Sequence, residues 1–166
     1  MKQYVIGVIV SNVAGVLSRV SGMFTRRGFN IDSLTVGETE SSSFSRITIA
    51  FHGDEEIKER IVQQLKKLHD VREVEVLDPH ETVIRELLLI KVRNKPESRQ
   101  DIMTAVEIFR SKIVDYSTTA VTCELTGETS KIDAFIDLLK PYGIMEMCRT
   151  GLVAIERGEN CLNTIP

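Results

Sequence analysis

The sequence contains no tryptophan, and three tyrosines and six phenylalanines bring its aromatic content to only 5% of 166 residues. That leaves little material for the stacking platforms on which single-stranded nucleic acid is held. Surplus positive charge is missing too: 21 Lys+Arg against 24 Asp+Glu give a net charge of −3, the wrong footprint for a general nucleic-acid binder. Cysteine is scarce. Cys123, Cys148 and Cys161 form no C-x-x-C pair, so a reducing, cytoplasmic setting is expected rather than a disulfide framework or a zinc knuckle. The longest apolar runs, Tyr4 to Val10 and Leu87 to Ile90, fall far short of the roughly 18–20 residues that span a bilayer. Met1-Lys2-Gln3 passes straight into strand-like residues, without the basic, apolar and small-residue regions of an export signal. No partnership with nucleic acid or membrane is therefore expected.

Catalytic signatures are equally sparse. His52, His69 and His80 stand too far apart for a helical metal pair, and with the cysteines they match no zinc spacing, so they are read as solvated. No G-x-x-x-x-G-K-[ST] phosphate loop occurs, and Glu55-Glu56 is a helix cap more simply than a catalytic carboxylate pair. The chain is expected to be no enzyme by itself and to bind no cofactor or metal.

What is present is globular: 42% apolar and 27% charged residues, in a length that suits one ordinary domain or two small ones. Gln3 to Val10 is nearly continuous in β-branched residues, which predicts a central strand. Val16, Leu17, Val20, Met23 and Phe24 then recur at helical spacing up to Gly28. Asn30 to Gly37 and an alternating segment with Ile47, Ile49 and Phe51 on one face read as a hairpin. Asp54 is the expected N-cap of a second helix carrying Ile57, Ile61, Leu65 and Leu68, and Val71 to Leu77 is a further strand. This is a βαββαβ order, with two helices on one face of an antiparallel sheet.

Asp78-Pro79-His80 interrupts the pattern, after which the order repeats. Strand Val83 to Val92, a helix with Ile102, Val106, Phe109 and Ile113, strands near Val114 to Tyr116 and Ala120 to Leu125, and a helix with Ile132, Phe135, Ile136 and Leu139 lead to a last strand or strand pair in Ile144 to Ile155. The expectation is an α+β chain of two tandem ferredoxin-like βαββαβ domains, at 1–78 and 83–158, with a mobile tail at 159–166.

The turn from the first strand into the first helix, Ser11-Asn12-Val13-Ala14-Gly15-Val16-Leu17, is the most informative segment. An amide side chain and a glycine stand directly before a helix N-terminus, where free N–H groups and the positive end of the dipole suit the carboxylate of a small ligand. The same residues also suit a plain Asx-turn and a turn glycine.

Asn12-x-x-Gly15-Val16-Leu17-Ser18-Arg19-Val20 followed by Phe24-x-x-Arg27-Gly28-Phe29-Asn30-Ile31-Asp32-Ser33-Leu34-Thr35-Val36 closely resembles the start of the small, regulatory subunit of acetolactate synthase (acetohydroxyacid synthase). Ser45-Arg46-Ile47-Thr48-Ile49, Arg85-Glu86-Leu87, Leu125-Thr126-Gly127, Lys131-Ile132-Asp133-Ala134-Phe135 and Arg149-Thr150-Gly151 continue the likeness in order, as far as about Gly158. The resemblance implies that the first domain is an ACT domain that senses an amino acid and pairs side by side with a second copy. It further implies that valine, or another branched-chain amino acid, binds at that dimer interface. Asn12, Val13, Ala14, Gly15, Val16 and Leu17 would then form one side of the effector site, and Asn30 and Ile31 of a second chain the other. Val13-Ala14 stands where many members carry a polar pair, which leaves the backbone amides to serve there.

The second domain would contribute contact with the catalytic subunit, with Arg149, Thr150 and Gly151 as possible contact residues. Thiamine diphosphate, magnesium and FAD would belong to that subunit and not to this chain. Its activity would be raised by this chain and made sensitive to feedback in valine, leucine and isoleucine biosynthesis. Cys148 is expected to be a buried small hydrophobe. An RNA-recognition module shares the element order, but Ser43-Phe44-Ser45-Arg46-Ile47-Thr48-Ile49 lacks its stacking aromatics. A free-standing ACT-domain sensor remains the alternative.

Overall fold

The computed structural model describes residues 1–162. Two compact units divide the described residues, the first made of residues 1–84 with 152–162 and the second of residues 85–151.

In the first unit the expected order is present: β1 (Lys2–Ser11), α1 (Val16–Arg26), β2 (Ser33–Glu38), β3 (Phe44–Gly53), α2 (Glu55–Lys66) and β4 (Val71–Leu77). All strand pairs are antiparallel in the order β2-β3-β1-β4, which makes β1 central and β2 an edge. Tyr4 through Val10 are all buried, as the unbroken apolar run requires of a strand covered on both faces. One face packs Ile6, Val8, Val10, Ile47, Ile49 and Phe51 under Val20, Met23 and Phe24 of α1 and Ile61 and Leu65 of α2. Asp54 caps α2, its Oδ1 accepting from the Ile57 amide at 2.8 Å, with Glu55 and Glu56 in the first turn. The second strand starts at Ser33 rather than Asn30, because Gly28 at φ +69° and a Phe29 N–H to Phe24 O bond turn the chain before it can extend.

The other face of this sheet is also covered, by a segment that the sequence pattern did not single out. Leu152, Ala154 and Leu162 pack with Val5, Ile9, Ala50 and Leu77 in a separate apolar cluster. The covering strap is pinned where Arg46 Nη2 donates to Ala154 O at 2.8 Å and the Arg157 amide donates to Glu81 O at 2.7 Å. Burial weakens the hold of the Arg46 guanidinium on its proton. Gly7, midway along β1, is where Leu162 comes down: a Cβ there would stand 2.4 Å from Leu162 Cδ1. Residues from Leu152 on, the end of the domain expected at 83–158, group with the first unit, and Leu162 in the tail expected to be mobile is packed at 7% exposed. The physical reason is the apolar outer face of β1, which needs cover and finds it in this segment. Residues 163–166 of that expected tail lie outside the described residues.

The second unit repeats the plan with β5 (Thr82–Arg93, which begins in the first unit), α3 (Arg99–Phe109), β6 (Lys112–Tyr116), β7 (Ala120–Gly127), α4 (Thr129–Leu139), a 3-10 turn at Lys140–Tyr142 and β8 (Ile144–Arg149). Its sheet runs β6-β7-β5-β8. Leu88, Ile90, Val92, Val121, Cys123 and Leu125 face Ile102 and Ala105 of α3 and Ile132, Phe135, Ile136 and Leu139 of α4. Burial pushes the Cys123 thiol pKa up to about 11. Cys148, expected to be buried, is exposed on β8, an edge strand whose other side has no neighbour among the described residues.

Candidate functional site

The β1–α1 turn is built from both ends. Ser11 donates its amide to Asp70 O and Asn12 donates its own to Ser43 O, each at 2.8 Å, so the turn is held against the neighbouring loops. The Asn12 side chain is engaged as well, Nδ2 donating to Ser42 O at 2.9 Å and to Glu38 Oε2 at 3.2 Å. Val13 N–H folds back to Ser11 O at 2.9 Å, and Gly15 at φ +82° lets the chain enter the helix. Arg19, one turn into α1, pairs with Asp70 at 2.6 Å and braces the Ala14 carbonyl from below at 3.5 Å.

The consequence is a helix N-terminus without a cap of its own. Gly15 holds the N-cap position and offers no side chain, so the amides of Ala14, Gly15, Leu17 and Ser18 have no acceptor among the described residues. These donors and the positive dipole end face solvent, flanked by the exposed side chains of Val13 (49%) and Leu17 (39%). A carboxylate fits the donors and an aliphatic group fits the flank. Val16 is buried at 7%, and its side chain anchors the helix to the core.

Asn30 and Ile31 do not join these residues within one chain. Glu38 pairs with Ser45 at the end of the sheet where Asn12 lies, whereas Ser33 pairs with Ala50, five residues away along β3. At roughly 3.4 Å per residue that is about 17 Å, and Asn30 lies beyond it. Asn30 is exposed, while Ile31 is half-buried against the core.

In the second unit, Arg149 at the end of β8 is not free. Its guanidinium grips Glu86 on β5 with two nitrogens, one bond being 2.9 Å, and donates to Asp133 on α4 at 2.9 Å. Glu86 is only 3% exposed, so the arginine serves as the counter-charge of a buried carboxylate. The Glu86 bond holds its pKa above the ordinary arginine value. Thr150 Oγ1 accepts from the Leu87 amide at 3.1 Å, and Gly151 at φ +82° turns the chain out of the unit. These three residues join β5, β8 and α4. Among the described residues no group of three His, Cys, Asp or Glu side chains is placed to hold a metal ion, and no helix is long and apolar enough to cross a membrane.

Two family models match the chain, one described as an acetohydroxyacid synthase small subunit-like ACT domain at residues 6–73 and one as the small subunit of acetolactate synthase at residues 85–158. The chain belongs to the acetolactate synthase small subunit family. Among its relatives, the probable acetolactate synthase small subunit of Methanothermobacter thermautotrophicus is 48% identical over 160 residues, covering 96% of this chain and 95% of that protein. The acetolactate synthase small subunit of Bacillus subtilis is 45% identical over 156 residues, covering 93% and 90%. The crystal structure of the small subunit from Thermotoga maritima superposes with a TM-score of 0.89 at 42% identity, covering 96% of this chain and all of that one.

As a member of that family the chain is a regulatory subunit with an ACT domain, and the expected fold class is the observed one. The sequence reading missed the residues that shape the turn from a distance. Glu38, Ser42, Ser43 and Asp70 hold Asn12 and Arg19 in place. Only Asp70 had a local signal, as a polar residue just before β4, and spacing alone could not pair it with Arg19 fifty-one positions earlier.

Proposed function

We propose that this subunit activates an acetolactate synthase catalytic subunit and confers feedback inhibition by valine or a related branched-chain amino acid, without catalysing the reaction itself. Thiamine diphosphate, magnesium and FAD belong to the catalytic partner in this reading. The observation that carries it is the uncapped α1 N-terminus at Gly15, with four amides that have no acceptor among the described residues, flanked by two exposed aliphatic side chains. The amides receive the effector's carboxylate, Val13 and Leu17 receive its side chain, and Asn12 fixes the polar remainder.

The placement of Asn30 and Ile31 supports a site shared by two copies. β2 is an edge strand, and pairing it antiparallel with the β2 of a second copy brings the beginning of one strand beside the end of the other. That pairing brings Asn30 and Ile31 of the second copy towards Asn12–Leu17 of the first, whereas within one chain the register of β2 on β3 sets Ser33 and Glu38 at opposite ends of the strand. Inhibition then follows by linkage. Valine must bind the inhibited complex more tightly than the active one, and a coupling of about 1–3 kcal/mol changes affinity by roughly 5–150-fold.

The test is pyruvate condensation by the cognate catalytic subunit, with and without this chain, across a valine titration. Activation reversed by valine is the expected result, and Asn12→Ala is expected to blunt inhibition while keeping activation. Loss of both in a folded variant overturns the assignment of Asn12 to the effector. No activation at all by the wild-type chain favours the free-standing sensor.

A further inference from the structure

The C-terminal end of α1 and the outer face of α2 enclose a groove of about 500 Å³ lined by Arg26, Arg27, Phe29, Arg60 and Gln64. Three guanidinium groups line it and no carboxylate does, in a chain whose net charge is −3. Among the described residues the only carboxylate paired with any of them is Glu56, at Arg60, and both side chains of that pair are about two-thirds exposed, so water and partners displace it readily. Arg27 Nη2 donates to Gln64 Oε1 at 2.8 Å, which ties the end of α1 to α2 and leaves the Gln64 amide nitrogen as a further donor. Phe29 supplies a half-buried aromatic floor. A second groove of this unit, about 350 Å³ around Lys2, Tyr4, Glu55, Lys58 and Asp78, differs in kind: it carries both signs, and its Tyr4, Glu55 and Lys58 are already bonded to one another.

We infer that the Arg26–Arg27–Arg60 groove is a docking surface for an acidic segment of the catalytic subunit, with paired carboxylates on the guanidinium groups and an apolar side chain seated on Phe29. The inference rests on the regulatory-subunit reading. A protein surface fits better than a small anion, because all three arginines are exposed and none is buried as the wall of an enclosed small-anion site would be. Arginine beside an aromatic floor is the composition enriched in protein interfaces, and it meets carboxylates in a bidentate fork. Exposed charges of one sign also steer association, so binding through this groove is salt-dependent.

The experiment measures association of the full-length chain with the cognate catalytic subunit by titration calorimetry at several salt concentrations, with activation of pyruvate condensation followed in parallel. The Arg27→Glu/Arg60→Glu variant is expected to bind roughly tenfold or more weakly at low salt and to show a flatter salt dependence. Lys66→Glu/Lys67→Glu changes net charge equally at the C-terminal end of α2, outside the groove lining, and is expected to stay within about twofold of wild type. Arg26→Ala/Arg27→Ala/Arg60→Ala, which introduces no new repulsion, is expected to weaken binding in the same direction, with circular dichroism confirming the fold. If wild type activates and both arginine variants associate as well as it does, the groove is not the docking surface. Equal weakening by the lysine pair also overturns the proposal, since bulk charge then explains the effect. Tight pyrophosphate binding that the arginine variants abolish, with subunit association unchanged, overturns it in favour of a small-anion site. Absence of association by the wild-type chain refutes the subunit reading itself.

Discussion

The contact between Gly7 and Leu162 gives a stability prediction whose sign depends on context. A Cβ on Gly7 would lie 2.4 Å from Leu162 Cδ1, over 1 Å inside the roughly 3.5–4.0 Å of ordinary carbon contact, so Gly7→Ala forces Leu162 to move. Leu162 is 7% exposed, and burial of a leucine contributes about 1.5–3 kcal/mol, which bounds the loss if it is expelled. Against this, alanine in a strand interior is favoured over glycine by roughly 0.5–1 kcal/mol. Gly7→Ala alone is therefore expected to destabilise by about 0.5–2.5 kcal/mol. In a Leu162→Ala background the clash is gone, while Arg46 Nη2 at 3.3 Å and Leu77 Cδ1 at 3.6 Å remain as an adjustable side-chain end and an ordinary contact. There Gly7→Ala is expected to stabilise by about 0.5 kcal/mol or more. The assay is urea unfolding of the four proteins at one fixed protomer concentration, since dimerisation would make apparent stability concentration-dependent. A coupling below about 0.5 kcal/mol, or destabilisation by Gly7→Ala in both backgrounds, refutes the placement of the strap on β1.

Gly15→Val should cost about 1–2 kcal/mol through its left-handed backbone and abolish the valine response more completely than it lowers stability, measured by thermal unfolding beside inhibition. Arg149→Met leaves Glu86 buried without a counter-charge and is expected to cost about 2 kcal/mol in urea unfolding, less than the roughly 3–5 kcal/mol of a fully buried pair because the arginine is 31% exposed. The Tyr4 hydroxyl donates to Glu55, which with burial pushes its pKa up to about 12 from 10.0. The folded state thus holds this proton longer than the unfolded chain does. Its contribution to stability is complete below pH 10 and is lost as pH rises towards 12, and an ultraviolet phenolate titration in which Tyr4→Phe removes the late step checks it. Native thiol titration at pH 8 should label Cys148 and Cys161 but spare Cys123, which reacts only on unfolding.

The elements were legible because each carries a local cause. The β-branched run of β1, the apolar periods of α1, α2 and α4, the Asp54 cap and the Pro79 break needed no tertiary information. The candidate turn was legible too, since an amide side chain and a glycine directly before a helical period mark a helix N-terminus by themselves. Cys148 was misjudged because a residue's burial on an edge strand depends on what covers that strand, which the strand's own pattern does not contain.

By its own pattern, then, the chain determined two βαββαβ folding patterns, the turn at Asn12–Leu17 and the family to which it belongs. Tertiary structure alone decided that Leu152–Leu162 covers β1, that Arg149 is committed to Glu86, and that Asn30 lies too far from Asn12 to share a ligand within one chain. The reason is range. Helix periods, caps and turns arise between residues a few positions apart, whereas these three facts depend on pairings between residues far apart in sequence, which only the assembled sheets fix.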